Sequence, residues 1–163
     1  MNTADAMLRG TACVLAVCAV LMLPACRSVK TPPAPLGSSV CAGGTMTETP
    51  AGNFELSVWN HSRQTPEVDI LVCVDGRTAV NHRFSHGGGH NWHTFVFEFA
   101  PGPHVLRAYS TKGQAHLECA FTLDGTKRWA SLDYWQSPGG KSGTPPAERR
   151  FTFDITDQPM GFL

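Results

Sequence analysis

The stretch VDILVCV, residues 68–74, is apolar at nearly every position. A short continuous apolar run of this kind is typical of an interior strand that is covered on both faces. The run before it, FELSVW at residues 54–59, alternates strictly between apolar and polar side chains. Such alternation indicates a strand with one buried face. The two runs together predict a β-sheet and set the pattern for the chain that follows.

Six further short runs continue this pattern as far as residue 155. They lie at residues 77–84, 92–99, 104–110, 115–123, 129–135 and 150–155, with turn residues between them. The 16 glycines, the 12 prolines and a charged fraction of only 16% suit short strands and many turns. About eight closely spaced strands therefore predict an all-β fold, a single antiparallel β-sandwich, with an immunoglobulin-like topology as one option.

The turn at residues 75–76 decides which side chains of its hairpin face the core. A two-residue turn would set the apolar face of one strand against a polar face of the next. A three-residue loop with a left-handed glycine instead pairs Ile70 with Val80 and Val72 with Thr78. Because a slip of one residue turns every side chain to the other face, burial favours the second register. The core residues predicted from it are Val68, Ile70, Val72 and Val80.

The first 25 residues have the three-part layout of a secretory signal peptide. Their continuous apolar run, residues 11–23, is shorter than the roughly 20 residues that a membrane-spanning helix needs. The segment ends in Leu23-Pro24-Ala25-Cys26. This motif resembles the lipobox of bacterial lipoproteins, which consists of a leucine, two small residues and a cysteine.

The resemblance implies that Cys26 is acylated and becomes the first residue of a lipid-anchored cell-envelope protein. Several acyl chains hold such a protein firmly, because each buried methylene contributes only about 0.8 kcal/mol. In proteobacterial lipoproteins an aspartate after the cysteine favours the inner membrane, so Arg27 favours the outer membrane, facing the periplasm. The membrane is thus an expected partner through the lipid, and apart from this covalent lipid we expect no cofactor.

These features divide the chain into a signal peptide at residues 1–25, a lipidated cysteine with a flexible linker at 26–52, and a β-sandwich domain at 53–163. The linker is rich in Pro, Gly, Ser and Thr, so burial cannot offset its ordering entropy. The alternative is that its second part docks on the domain. Losing the signal peptide removes one charge of each sign and leaves a neutral chain, which argues against nucleic acid as a partner.

Three cysteines remain when Cys26 carries the lipid, namely Cys41, Cys73 and Cys119. An odd number in an oxidising compartment leaves at least one of them unpaired. The hairpin register turns Cys73 away from the core, whereas Cys119 shares a face with apolar neighbours and should be buried. A bond between Cys73 and Cys119 is therefore disfavoured. Two states stay open, either no disulfide or one that uses Cys41.

Three tryptophans alternate with polar residues and should lie on outward faces of the sandwich: Trp59, Trp129 and Trp135. Exposed indole rings on a β-sandwich stack on sugars or contact a partner protein. Cell-wall glycan is the polymer available in the expected compartment. The alternative is that these rings cover a sheet edge, or lie under the linker or under the loop at residues 136–147.

Four histidines lie close together in the chain: His82, His86, His90 and His93. Imidazoles at this density are candidate Zn²⁺ or Cu²⁺ ligands, which makes a periplasmic metal-binding protein the alternative function. Against this, glycines loosen the loop between them, and neither an HExxH motif nor a cysteine pair accompanies them. Because G-x-S-x-G, a catalytic triad and a paired-carboxylate motif are all missing, the sequence favours a non-catalytic module that binds an envelope protein or cell-wall glycan.

Overall fold

The computed structural model describes residues 26–28, 40–87, 91–137 and 148–161. Within these ranges the chain forms β1 (Cys26–Ser28), β2 (Phe54–Asn60), β3 (Glu67–Val74), β4 (Arg77–Ser85), β5 (His93–Phe97), β6 (Gly102–Ser110), β7 (Ala115–Leu123), β8 (Arg128–Gln136) and β9 (Arg149–Thr156). The strands β2 to β9 correspond to the eight runs that the sequence predicts. In the described part of the chain, no helix is long and apolar enough to cross a membrane.

The strands form two sheets, as expected for a β-sandwich. The larger sheet has the order β1-β7-β6-β3-β4, and the smaller has the order β5-β2-β8-β9. Neighbouring strands are antiparallel except for β2 and β8, which run parallel in the middle of the smaller sheet. The predicted all-β sandwich is confirmed, and its immunoglobulin-like topology stays a prediction.

Alternation along β2 determines which of its side chains pack between the sheets. Phe54, Leu56 and Val58 are completely buried. Phe54 stacks on Phe121 of β7, in the opposite sheet, with ring centroids 5.4 Å apart. Burying a side chain of this size contributes about 1.5–3 kcal/mol. The residues between these inward positions must then lie on the outer face of the smaller sheet.

The β3–β4 hairpin differs from the prediction in its turn. Val74 pairs with Arg77, so the turn has two residues, 75 and 76, with positive φ angles of 50° and 77°. The predicted three-residue loop is wrong, because the two-residue turn already matches the twist of the strands. A bulge next to Val72 then shifts the register and sets Val72 opposite Val80. The predicted core residues are confirmed, since Val68, Ile70, Val72 and Val80 are all buried.

The second half of the predicted linker packs on the domain. Cys41 forms a disulfide with Cys73, one of the two cysteines with which the sequence allowed it to pair. Thr45 forms a parallel bridge with Thr78 at the start of β4. The covalent bond and the added backbone hydrogen bonds offset the entropy cost of ordering this polar segment. Residues 40–52 therefore lie against the sandwich.

Cys119 is fully buried in β7, as predicted, and its sulfur is bonded to Cys26. The strand β1 pairs with β7 at the same place, with Cys26 opposite Cys119. Nothing in the sequence points to this pair once Cys26 is assigned to a lipid. A sulfur in a disulfide cannot also carry a thioether, so this bond and acylation of Cys26 are alternative states of one atom.

The carboxylate of Asp69 in β3 accepts hydrogen bonds from the turn between β6 and β7. Its Oδ1 accepts hydrogen bonds from Ser110 Oγ at 2.9 Å and from the backbone N–H of Lys112 at 2.7 Å. Its Oδ2 accepts a third from the backbone N–H of Thr111 at 3.2 Å. One carboxylate thus satisfies three donors of a turn that connects two long strands.

We expect Asp69→Ala to lower the free energy of unfolding by about 2 kcal/mol, because the turn donors lose a charged acceptor. Urea denaturation monitored by circular dichroism measures this. Glu67→Gln is the matched control, since it removes only an exposed ion pair with Lys112 and should leave the unfolding midpoint nearly unchanged. Equal effects of the two substitutions would contradict the role given to Asp69.

Candidate ligand-binding site

The outer face of the smaller sheet brings the predicted tryptophans together. Because β2 and β8 run parallel, their outward side chains meet in pairs. Along the strands these pairs are Glu55 with Trp129, Ser57 with Ser131, and Trp59 with Asp133. Thr94 of β5 lies beside Ser57, and Asp154 of β9 lies beside Ser131. We call this surface the aromatic face, and it also includes His61, Trp92 and Trp135.

A cleft of about 170 Å³ opens on the aromatic face between Trp92 and Trp129. Its lining includes Ser57 and Thr94, whose hydroxyl oxygens are 3.3 Å apart. Met160, from the segment after β9, forms part of the rim. The cleft therefore has indole rings and hydroxyl groups in its lining, which offer apolar and directed polar contacts to a ligand.

Trp92 is a member of this site that sequence reasoning missed. It precedes β5 and shares the parity of Thr94, on the face opposite to Phe95 and Phe97. That parity was a usable signal, because Phe97 is fully buried and the other face must point outward. Its ring centroid lies 5.5 Å from that of Trp59, which joins the cleft to the rest of the aromatic face.

Lys127 forms an ion pair with Glu55 and lies over the ring of Trp129. The Nζ of Lys127 is 3.1 Å from Oε2 of Glu55 and 5.4 Å from the centroid of the Trp129 ring. The exposed ion pair adds little to folding stability. The cation over the indole face instead restricts the orientation of Trp129 and balances the charge of Glu55 at the cleft.

His61 is packed between two indoles at the other end of the aromatic face. Its ring centroid is 4.0 Å from that of Trp59 and 4.0 Å from that of Trp135, and it is nearly parallel to Trp135, at 2°. The Nε1 of Trp135 donates a hydrogen bond to Thr152 Oγ1 at 3.2 Å. Trp135 is nevertheless 41% exposed, and it is the one exposed large apolar side chain among the described residues. Its ring is thus held in place and still open to a ligand.

Asp133 lies between these two ends and is mostly buried. It accepts hydrogen bonds from Ser131 Oγ at 3.0 Å and from His61 Nε2 at 3.1 Å. Burial raises the pKa of Asp133 above its usual range, although the Ser131 hydroxyl and the charge of His61 act in the opposite direction. A carboxylate whose pKa is shifted by burial is a frequent feature of functional sites.

The raised pKa of Asp133 predicts a pH-dependent cost of folding. The folded state holds the proton more tightly than the unfolded state, so stability falls as the pH rises from the unfolded pKa through the folded pKa. Asp133→Asn removes this ionisation. We expect its stability relative to wild type to increase over that pH interval and then to level off, as measured by urea denaturation at a series of pH values.

Asp157→Asn is the control for this measurement, because Asp157 is an exposed carboxylate just after β9. It should give a much smaller pH-dependent difference. A constant difference between Asp133→Asn and wild type at every pH would contradict the account of Asp133.

The structure brings two of the four histidines of the predicted metal site together and places a third elsewhere. The ring centroids of His82 and His93 lie 5.1 Å apart, where the edge strands β4 and β5 approach each other. His86 is held elsewhere, with Nδ1 3.4 Å from the carbonyl oxygen of Asn60, and His90 falls outside the described residues. Across the ranges that the structure describes, no three His, Cys, Asp or Glu side chains are grouped to hold a metal ion. Metal binding stays a prediction.

No family model matches this chain. Comparison with curated proteins and with solved structures also finds no match.

Proposed function

We propose that this protein is a non-catalytic cell-envelope module that binds glycan through its aromatic face and is anchored by a lipid on Cys26. The main support for glycan binding is the cleft between Trp92 and Trp129, which has the Ser57 and Thr94 hydroxyls in its lining. The anchoring part depends on the lipobox-like end of the signal peptide.

The chemistry of the cleft suits a sugar ring. A pyranose has apolar C–H faces that pack on indoles and a rim of hydroxyl groups that need hydrogen-bond partners. The cleft offers both, and its volume of about 170 Å³ limits the enclosed part of a ligand to no more than one ring. Its chemistry favours the face of one hydroxylated ring.

The surface is less suited to a protein partner. Stable protein interfaces bury a contiguous patch of roughly 800 Å² on each side, with an apolar centre. Among the described residues, Trp135 alone is a large apolar side chain with high exposure. The other tryptophans are half-buried around polar groups, which supports a small or narrow ligand.

A binding role is also favoured over hydrolysis. Ser131 Oγ donates its hydrogen bond to Asp133, so His61 is not positioned to activate that hydroxyl. Glu55 is neutralised by Lys127 at 3.1 Å. Ser131 and Glu55 are thus engaged in contacts within the site, and Asp133 is held by hydrogen bonds from Ser131 and His61.

Isothermal titration with soluble peptidoglycan glycan fragments tests this proposal. We expect Trp129→Ala to weaken binding about tenfold or more, because the cleft loses one stacking wall. Tyr109→Ala is the control, since Tyr109 lies in the larger sheet, stacked on His116. Absence of glycan binding in the wild type, or equal losses in the two variants, would refute the proposal.

The anchor has a separate test. We expect intact-mass measurement of the protein purified from membranes to show acyl chains on Cys26, and Cys26→Ser to release the protein from the membrane fraction. Peptide mapping without reductant is the decisive companion measurement, because Cys26 sulfur is bonded to Cys119 in the structure. A Cys26–Cys119 peptide in the mature protein, with no acylated form, would overturn lipid anchoring and leave glycan binding to be judged on its own.

A further inference from the structure

We propose that the ligand is an extended glycan chain of several sugar rings, lying along β2 and β8. One ring occupies the cleft between Trp92 and Trp129, and a distant ring stacks on Trp135. This inference rests on the proposed glycan-binding function and adds the length and direction of the ligand.

The strand register gives the length of the site. Trp129 and Trp135 are both outward residues of β8 and are separated by six positions. At about 3.3 Å per residue they lie about 20 Å apart along the strand. A ligand that fills only the cleft cannot reach Trp135, so simultaneous contact requires a chain of several rings.

The surface between the two ends carries aromatic and polar side chains together. Trp59 occupies an intervening outward position of β2, and its ring contacts those of Trp92 and His61. Ser57 and Ser131 are nearly buried here, whereas Thr94 and Asp154 are exposed on the neighbouring strands. These exposed groups can form hydrogen bonds with the hydroxyl edges of sugar rings. A path of indoles with exposed polar groups beside it matches a chain whose every unit has apolar faces and polar edges.

Trp135, at the far end of this path, is held in one orientation by its neighbours. One face of Trp135 is stacked on His61 at a centroid distance of 4.0 Å, so its exposed area belongs largely to the other face. The hydrogen bond from Nε1 to Thr152 fixes the rotation of the ring. A platform that is already ordered loses little conformational entropy when a ligand stacks on it.

A proline-rich peptide is the main rival ligand, because extended proline helices also dock on aromatic grooves. Such peptides present few hydrogen-bond donors, since proline lacks an N–H group. The exposed carboxylate of Asp154 would then receive no hydrogen bond from the ligand. This polar group beside the path therefore favours the glycan.

The test is a length series of β-1,4-linked N-acetylglucosamine oligomers, from two to six rings, titrated into the full-length protein. We expect affinity to rise about tenfold or more between two and six rings, because only the longer chains reach Trp135. Trp135→Ala should remove most of this gain and should lower the affinity for the hexamer far more than the affinity for the dimer. Trp129→Ala should weaken binding at every length.

Three outcomes would overturn the inference. These are equal affinity of the wild type for two and six rings, equal loss of dimer and hexamer binding in Trp135→Ala, and tighter binding of a proline-rich peptide than of the hexamer. Failure of every oligomer to bind would instead refute the proposed function itself. Trp135→Phe, which keeps a stacking ring, should recover most of the length dependence, and unchanged urea denaturation of each variant shows that folding is intact.

Discussion

The structure depends on the burial of alternate side chains between two sheets, and above all on the central parallel pair of β2 and β8. Leu56, Val58 and Leu132 are completely buried at this pair. Because successive side chains of a strand point to opposite faces, the residues between these inward positions must point outward. Ser57, Ser131 and the tryptophans are on the outside as a direct consequence of the packing inside.

The same constraint explains the details of the β3–β4 hairpin. The turn at residues 75–76 on its own would direct the apolar side chains of β4 outward. The bulge next to Val72 inserts one residue and turns Val80 back into the core. Burial thus determines the final register, whereas the local turn chemistry determines only how the chain reverses. The sequence was sufficient to identify the buried residues of this hairpin and insufficient to show how the chain places them there.

The features that the sequence predicts are those that depend on residues close together in the chain. Eight strands, the burial of Cys119 and the outward parity of the tryptophans could all be read from short patterns. The β2–β8 pair could not, because about 70 residues separate Glu55 from Trp129 and no local pattern records such a contact. The position of His61 between Trp59 and Trp135 follows from that pairing and was out of reach for the same reason, whereas the outward parity of Trp92 could have been read from the alternation with Phe95 and Phe97.

The central claim is that glycan binds to the outer face of the smaller sheet, and chemical-shift mapping of the ¹⁵N-labelled protein tests it most directly. The account predicts that a glycan hexamer shifts the indole N–H signals of Trp92, Trp129 and Trp135 together with the amides of β2 and β8, and leaves the amides of β6 and β7 unchanged. Shifts confined to the larger sheet, or to the rim at His82 and His93, would contradict the account.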